Sequence, residues 1–365
     1  MREKAAKERK MKQPPIVADR SEGRDNNFNL LRVFAAAGVL VSHAFVLSLG
    51  SSEYEPLTQW LGGKSLGSIS VLVFFAISGF FITRSFDRRN SLWGFFQARI
   101  FRIFPALAIV LLLTIPISGL FFTTSPQDIF WPAAFGYFFH NISLFSMQYN
   151  LPGVFEANPY GSPINGSLWT LSYEVLCYLG VVICGLLGLL SRPRIFAVGI
   201  FVFLVVYGVT VIGDIHPRID KLMYLGLPFL TGMSFYLWRD SLRLSFTAAF
   251  GLALLAALLH STPLFLPAFT VALSYAVFVI GYAQNSLFLN YNRLGDYSYG
   301  LYIYAFPVQQ IIASTGNTVP AINIALALPI SLLCSVISWH IIEAPAMNYG
   351  RSISRRGYRP NKELS

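Results

Sequence analysis

One histidine of this sequence lies deep inside an apolar segment, where an ionisable side chain is costly unless it has a function. His43 follows Arg32 by eleven positions in the first long apolar run, about residues 28–50. On an α-helix this separation is about 16 Å along the axis and about three turns, so both side chains project from nearly the same face. A histidine in a dry pocket can act as a general base near neutral pH, whereas a structural histidine would only bond to a neighbouring helix.

A carboxylate occurs at a comparable predicted depth in a later apolar segment. Glu174 ends the run Ser167-Leu-Trp-Thr-Leu-Ser172-Tyr-Glu174, about two turns below the predicted outer end of its helix. A carboxylate within hydrogen-bond range orients an imidazole and raises its basicity. We therefore predict a catalytic pair of His43 and Glu174, and the alternative for Glu174 is a carboxylate near a wet helix end.

Arginines at the inner ends of the apolar segments indicate a second, cationic site. Arg99 and Arg102 are three positions apart and precede Pro105, and Arg32 lies at the same predicted depth. The planar guanidinium group matches phosphate, although inner membrane boundaries are commonly rich in arginine. These three arginines are predicted to hold a phosphorylated cytosolic donor, whose group would pass to a hydroxyl activated nearer the outside.

The composition indicates which elements position these residues. The chain has 365 residues, of which 55% are hydrophobic and 12% charged, and its mean hydropathy is +0.56. A soluble domain carries about 25% charged residues, so lipid must be the solvent for much of this chain. The net charge of +10 is concentrated at the chain ends and between apolar segments, which is typical of cytoplasmic loops and does not call for a nucleic-acid partner. The cysteines lie in apolar runs without metal-ligand spacing, so no metal site is predicted.

The alternation of apolar segments and basic loops predicts an all-α, polytopic integral membrane protein. About ten transmembrane helices fit the chain, with both termini in the cytoplasm. A polar N-terminal tail (1–27), expected to be flexible, and a basic C-terminal tail (346–365) are predicted to flank a membrane domain (28–345).

Two segments need separate treatment. The arginine-bearing stretch that begins at Trp93 predicts an interfacial helix that leads into a distinct span at about 103–122. Residues 130–163 are predicted to form an outer or re-entrant segment. A span there would leave Arg192 and Arg194 outside, against the positive-inside rule.

Several motifs occur in one order along almost the whole chain. They are Arg32-x10-His43, Phe74-Phe-Ala-Ile-Ser78-Gly79-Phe80, Arg99-Ile-Phe-Arg102-Ile-Phe-Pro105, Leu168-Trp169-x-Leu-Ser172-x-Glu174, Gly295-Asp296-Tyr297-Ser298-Tyr299-Gly-Leu-Tyr302 and Glu343-Ala-Pro345. With these motifs the chain resembles the membrane-bound acyltransferase family 3, the bacterial surface-polysaccharide O-acyltransferases. The chain departs from many members at Ala305, where they have a histidine.

The resemblance implies an enzyme that uses acyl-CoA, usually acetyl-CoA, as co-substrate and has no permanently bound cofactor. It implies a saccharide or lipid-linked glycan as acceptor and the bacterial inner membrane as location. His43 is implied as the catalytic residue, and Arg32, Arg99 and Arg102 as donor-side or structural arginines. The supporting residues that the motifs add are Ser78, Ser172, Tyr302 and Glu343.

Some of these residues have simpler interpretations. Glu343 is equally suited to pair with a nearby arginine, and Ser78 with Gly79 can allow close helix packing. A transporter of sugars or lipid-linked intermediates is the alternative function. It would be expected to show internal repeats or paired helix breaks, and the sequence has neither pattern. A membrane scaffold would leave the buried His43 and Glu174 unexplained. Whether His43 takes a proton or carries the acyl group stays open.

Overall fold

The computed structural model describes residues 14–23, 25–89, 91–213, 216–284 and 286–356. Regular structure in these residues is helical, and the only β pairing is in isolated bridges. The all-α prediction is therefore confirmed for the described chain. The α-helices are α1 Val17–Ser21, α2 Phe28–Leu49, α3 Pro56–Trp60, α4 Leu66–Asp87, α5 Leu92–Phe121, α6 Gln127–Ser143, α7 Trp169–Leu186, α8 Pro193–Gly213, α9 Pro217–Leu237, α10 Phe246–Leu258, α11 Phe265–Gly281, α12 Ser286–Leu289, α13 Ser298–Ala313, α14 Pro320–Ser338 and α15 Ala344–Arg356. A π-helix, Trp339–Glu343, joins α14 to α15.

Several of these helices are long and apolar enough to cross a bilayer. In the described residues six segments qualify, namely Phe28–Leu49, Leu66–Asp87, Leu92–Phe121, Gly166–Leu186, Pro193–Gly213 and Pro320–Ser354. The shorter helices α10 and α11 are also apolar. A polytopic membrane protein with six to eight apolar helices is thus supported. The count of ten, which also used α9 and α13, and the cytoplasmic position of both termini stay predictions.

The described chain divides into two compact units. The first contains residues within 1–32, 71–87 and 177–294, and the second contains residues within 33–70, 88–176 and 295–365. The core of the first unit is aromatic. Phe278 of α11 packs against Phe80 of α4, with ring centroids 4.9 Å apart, and against Phe28, at 5.2 Å. This aromatic cluster is fully buried, which explains why the sequences of α4 and α11 are apolar on most faces of the helix.

The N-terminal segment is packed over its described part. The backbone N–H of Val17 donates to the carbonyl oxygen of Leu242 at 2.9 Å, and the N–H of Leu244 donates to that of Pro15 at 2.9 Å. The Val17 side chain is 0% exposed in the core of the first unit. The expectation of a flexible tail is therefore wrong for this stretch, because an apolar side chain and backbone bonds anchor it; residues 1–13 lie outside the described residues.

In the second unit, α5 is one continuous helix. It begins after Ser91, whose hydroxyl accepts a hydrogen bond from the Gly94 N–H at 3.3 Å, as an N-cap should. It then runs through Pro105 and Pro116 for 30 residues. The predicted separation into an interfacial helix and a span is wrong. The apolar run continues the helical pattern through Pro105, and no turn residues interrupt it.

The C-terminal segment continues the same unit beyond the predicted domain boundary. Helix α15 follows the π-helix directly, and the Ser354 hydroxyl donates to the side-chain oxygen of Gln97 on α5 at 2.7 Å. Gly350 also packs closely against the ring of Phe101. Residues 346–356 are therefore a packed helix, and the tail beyond residue 356 is outside the described residues.

The segment between α6 and α7 is folded without spanning helices of its own. Helix α6 ends at Leu144, which adopts a left-handed conformation with φ 57°, and the chain then turns back so that Asn150 pairs with Pro163. Gln310 of α13 bonds this loop, because its side-chain nitrogen donates to the carbonyl oxygens of Gly161 at 3.1 Å and Pro163 at 2.6 Å. The interactions fit an outer segment held by α13.

Candidate active site

His43 lies on α2, where its ring packs edge-on against Phe306 of α13 with centroids 5.2 Å apart. The residue is half-buried. Its Nδ1 is fully buried, and no hydrogen-bond partner for it occurs within the described part of the chain. The exposure of His43 therefore does not come from Nδ1, and only part of the residue is accessible.

A glutamine on α13 also bonds to α2, so it connects the helices that carry Phe306 and His43. The side-chain nitrogen of Gln309 donates to the carbonyl oxygen of Leu40 at 2.9 Å, one turn before His43 on α2. Gln309 is 0% exposed, and its Oε1 has no partner in the ranges that the structure covers. Sequence reasoning did not select Gln309. Its signal was available, since a buried amide in an otherwise apolar helix requires an explanation.

The start of α7 is bonded to the same face of α13. The hydroxyls of Thr170 and Tyr302 lie 2.7 Å apart, and the Tyr302 hydroxyl also donates to the carbonyl oxygen of Ser167 at 2.9 Å. A side chain at Gly166 would come within 2.7 Å of the Phe306 ring. Tyr302, predicted as a supporting residue, is thus fixed one turn from the phenylalanine that packs on His43.

Glu174 lies on α7, beyond the residues that contact α13. It is half-buried and follows Thr170 by one turn on the same face. Its carboxylate interacts electrostatically with the hydroxyls of Tyr299 and Tyr302. From Gly166, at the level of Phe306, to Glu174 the rise is about 12 Å. The pairing of Glu174 with His43 stays a prediction.

Arg102 of α5 is held by two carboxylates. Its Nη1 donates to Oε2 of Glu343 at 2.8 Å, and its Nη2 donates to Oδ2 of Asp296 at 2.7 Å. The exposed side-chain fractions are 21% for Arg102, 11% for Asp296 and 0% for Glu343. Of the two interpretations of Glu343, pairing with an arginine is the one that the structure shows. The donor-binding role of Arg102 stays a prediction.

The other predicted arginines contact aromatic rings. Arg99 is half-buried on α5, with its guanidinium carbon 5.8 Å from the centre of the Phe95 ring. In the first unit, Arg32 lies 5.8 Å from the centre of the Phe81 ring. Such distances are within the range of cation–π attraction. Arg99 and Arg102 therefore share one helix and one unit, whereas Arg32 belongs to the other unit.

The two predicted serines differ in their surroundings. Ser78 is buried on α4, and a side chain at the adjacent Gly79 would collide with the backbone carbonyl of Phe229 on α9. This contact favours the packing interpretation of the Ser78-Gly79 pair. Ser172 is half-buried on α7, two positions before Glu174.

A cavity of about 380 Å³ occurs in the first unit, and none of the candidate site residues lines it. It is lined by Tyr207, Thr210, Val211, Asp220, Tyr224 and Leu266. Of the candidate site residues in the second unit, His43 and Arg102 contact residues of α13, and Tyr302 lies on α13 itself.

Comparison with known proteins identifies the family of this chain. A family model described as an acyltransferase domain matches residues 25–340. The chain is 29% identical over 344 residues to an O-acetyl transferase of Shigella phage Sf6, covering 88% of this chain and 95% of that protein. It is 36% identical over 168 residues to nodulation protein 10 of Rhizobium leguminosarum bv. viciae, covering 44% of each chain. No solved structure matches significantly.

Proposed function

We infer that this chain, an acyltransferase that belongs to the acyltransferase 3 family, moves an acetyl group from cytosolic acetyl-CoA to a sugar hydroxyl. The acceptor is a surface glycan or its lipid-linked precursor, and the membrane is the bacterial cytoplasmic membrane. Similarity to the phage O-acetyl transferase over most of both chains supports acetyl as the transferred group. The apolar helices support a location in a membrane.

The observation that carries the chemistry is the position of His43. An ionisable ring is retained in an apolar helix, sealed at Nδ1 and packed against Phe306, while part of the residue stays accessible. In the proposed reaction the acceptor hydroxyl gives its proton to His43 as its oxygen attacks the thioester carbonyl. The C–O bond forms, the C–S bond breaks, and the CoA thiolate leaves and takes up a proton.

The donor is proposed to bind on the side where α5 begins. Arg99 is half-buried there, and a guanidinium group donates two parallel hydrogen bonds to a phosphate. Arg32 is proposed as a second donor-side charge. Glu174 is proposed to support the reaction from α7, where its carboxylate acts electrostatically on the hydroxyls of Tyr299 and Tyr302, and Ser172 is proposed as a supporting residue on the same helix.

The central test replaces His43 in the full-length protein reconstituted in lipid nanodiscs. We expect His43→Ala to abolish transfer of radiolabelled acetyl from acetyl-CoA to isolated surface glycan while the protein accumulates normally. His140→Ala is the matched control, since His140 is exposed at the end of α6, and it should leave the rate unchanged. Retained transfer by His43→Ala would overturn the assignment, and glycan transport without acetylation by the unaltered protein would support a transporter.

A second measurement separates the two chemical routes for His43. Purified protein is mixed briefly with radiolabelled acetyl-CoA in the absence of acceptor, then quenched. Label on the protein that disappears in His43→Ala indicates an acetyl-histidine intermediate, and its absence indicates direct transfer with His43 as base. Both outcomes keep the overall reaction, whereas label that persists in His43→Ala would assign the nucleophile to another residue.

A further inference from the structure

The guanidinium group of Arg102 already has its two terminal nitrogens engaged. Each donates to a different carboxylate, Glu343 at 2.8 Å and Asp296 at 2.7 Å. The guanidinium carbon also lies 5.5 Å from the centre of the Tyr299 ring and 5.7 Å from that of the Trp339 ring. Two ion pairs and two cation–π contacts therefore hold the Arg102 side chain.

The remaining oxygens of both carboxylates are bonded as well. The Ser338 hydroxyl donates to Oε1 of Glu343 at 3.0 Å. The Ser298 hydroxyl donates to Oδ1 of Asp296, and the Ser298 N–H donates to it at 3.3 Å. Neither carboxylate therefore depends on water or on a bound ligand to complete its hydrogen bonds, as a buried polar network requires.

Gly295 makes room for one of the rings. It has φ +139°, a conformation that other residues rarely adopt, and a side chain there would collide with the Trp339 indole. The glycine that opens the Gly295-Asp296 motif thus serves the packing of Trp339 against Arg102. Trp339 and Glu343 also form the two ends of the π-helix, an irregularity often found at functional sites.

We propose that Arg102 is a positioning residue and the centre of a clamp with Asp296 and Glu343, and that it is not a ligand of the donor's phosphates. A phosphate that took over the bond of either terminal nitrogen would displace a carboxylate and leave that carboxylate buried without its cation. The proposal rests on the acetyl-transfer function inferred above, because it assigns different roles to two arginines on the donor side. Arg99 is assigned to the donor's phosphates, and Arg102 is assigned to the clamp.

The clamp fixes the helix that borders His43. Asp296 lies two residues before α13 begins, and Glu343 ends the π-helix after α14, so Arg102 ties both to α5. Eight residues after its first residue, Ser298, about 12 Å along the helix, α13 presents Phe306 to the His43 ring. Loosening the clamp should therefore disturb the chemical step more than donor binding.

The test compares two donors, acetyl-CoA and acetyl-pantetheine, which lacks the phosphates and the nucleotide. For each variant in nanodiscs we measure kcat and the KM for acetyl-CoA. We also measure the donor ratio, which is kcat/KM for acetyl-CoA divided by kcat/KM for acetyl-pantetheine. The clamp variants are Arg102→Lys, Asp296→Asn and Glu343→Gln, and Arg99→Lys is the matched control on the same helix. Asp296→Asn is the mildest of them, because the amide keeps one oxygen acceptor.

We expect the clamp variants to lower kcat by about tenfold or more, with KM and the donor ratio within about twofold of the unaltered protein. Arg99→Lys should instead raise KM and lower the donor ratio. The proposal is overturned if Arg102→Lys collapses the donor ratio. It is equally overturned if Glu343→Gln, which would free Arg102 for phosphate, lowers KM for acetyl-CoA.

Failure of the proposed function has a different signature. If the unaltered protein does not transfer acetyl to any glycan, the function is wrong, and the clamp is judged by thermal unfolding alone. A lower Tm in all three clamp variants but not in Arg99→Lys then supports the clamp. An unchanged Tm in Arg102→Lys rejects it.

Discussion

Replacing Gln310 should release the loop between α6 and α7 without altering any residue proposed for chemistry. The Gln310 side chain is 0% exposed. It donates to the carbonyl oxygens of Gly161 and Pro163, and its Oε1 accepts from the side-chain nitrogen of Asn158 at 2.8 Å. In Gln310→Leu the volume is nearly kept, so the effect comes from lost hydrogen bonds and not from a cavity.

The magnitude follows from the groups that lose their partners. Two carbonyl oxygens lose their donor, while the Asn158 amide keeps its bond to the Gln310 backbone oxygen at 3.0 Å. An unsatisfied buried group costs about 1–3 kcal/mol, and Gly161 and Pro163 are half-buried, so about 2–3 kcal/mol is expected in total. This free energy corresponds to a rise of about 30- to 150-fold in the opening equilibrium of the loop.

Hydrogen–deuterium exchange measures this opening directly. The informative amides are those of Asn158, Gly161 and Ile164, each bonded within the loop at 2.8–3.0 Å. Gln59→Leu is the matched control, because Gln59 is exposed and makes one long bond of 3.4 Å, so its effect should stay within about 0.5 kcal/mol. Exchange at Gly161 and Ile164 within about twofold of the unaltered protein in Gln310→Leu would refute the reasoning.

Three further substitutions, two of them with a matched control, probe other residues. Gly79→Ala should lower the free energy of unfolding by about 2–3 kcal/mol, because the new methyl meets the Phe229 carbonyl. Gly180→Ala, a helical glycine with open space around it, should raise it by about 0.5–1 kcal/mol; thermal unfolding that ranks the two variants in the opposite order rejects the packing argument. Gly166→Ala should lower the acetyl-transfer rate about tenfold by displacing the Phe306 ring, whereas Gly136→Ala, with nothing within 4 Å, should not change it. Glu174→Gln should lower kcat by about tenfold or more with an unchanged Tm, and an unchanged kcat would remove Glu174 from the active site.

Local sequence patterns predicted the helices well, because a long apolar run requires a helix wherever lipid or a buried core surrounds it. The first helix was expected at about 28–50 and occupies Phe28–Leu49. The same patterns misplaced two boundaries, one where a helix continued without a break and one where distant contacts anchor a polar stretch. Pro105 did not end α5, and Val17, in a polar stretch, is anchored by backbone bonds to the Leu242–Leu244 region.

The family motifs identified the acyltransferase class and named most residues that the second unit gathers around α13. They did not determine which of these residues bond to each other. Arg102 is 241 positions from Glu343 and 194 from Asp296, so no local spacing indicated that one guanidinium serves both carboxylates.

The relation of His43 to Glu174 shows the same limit. Sequence alone determined that each lies within an apolar helix, because that depends only on neighbours in the chain. Their separation depends on how far α7 is shifted along α13, and the contacts Gly166–Phe306 and Thr170–Tyr302 set that shift. A shift of one turn moves a side chain by about 5.4 Å, enough to make or break a hydrogen bond. Only the tertiary structure could decide it.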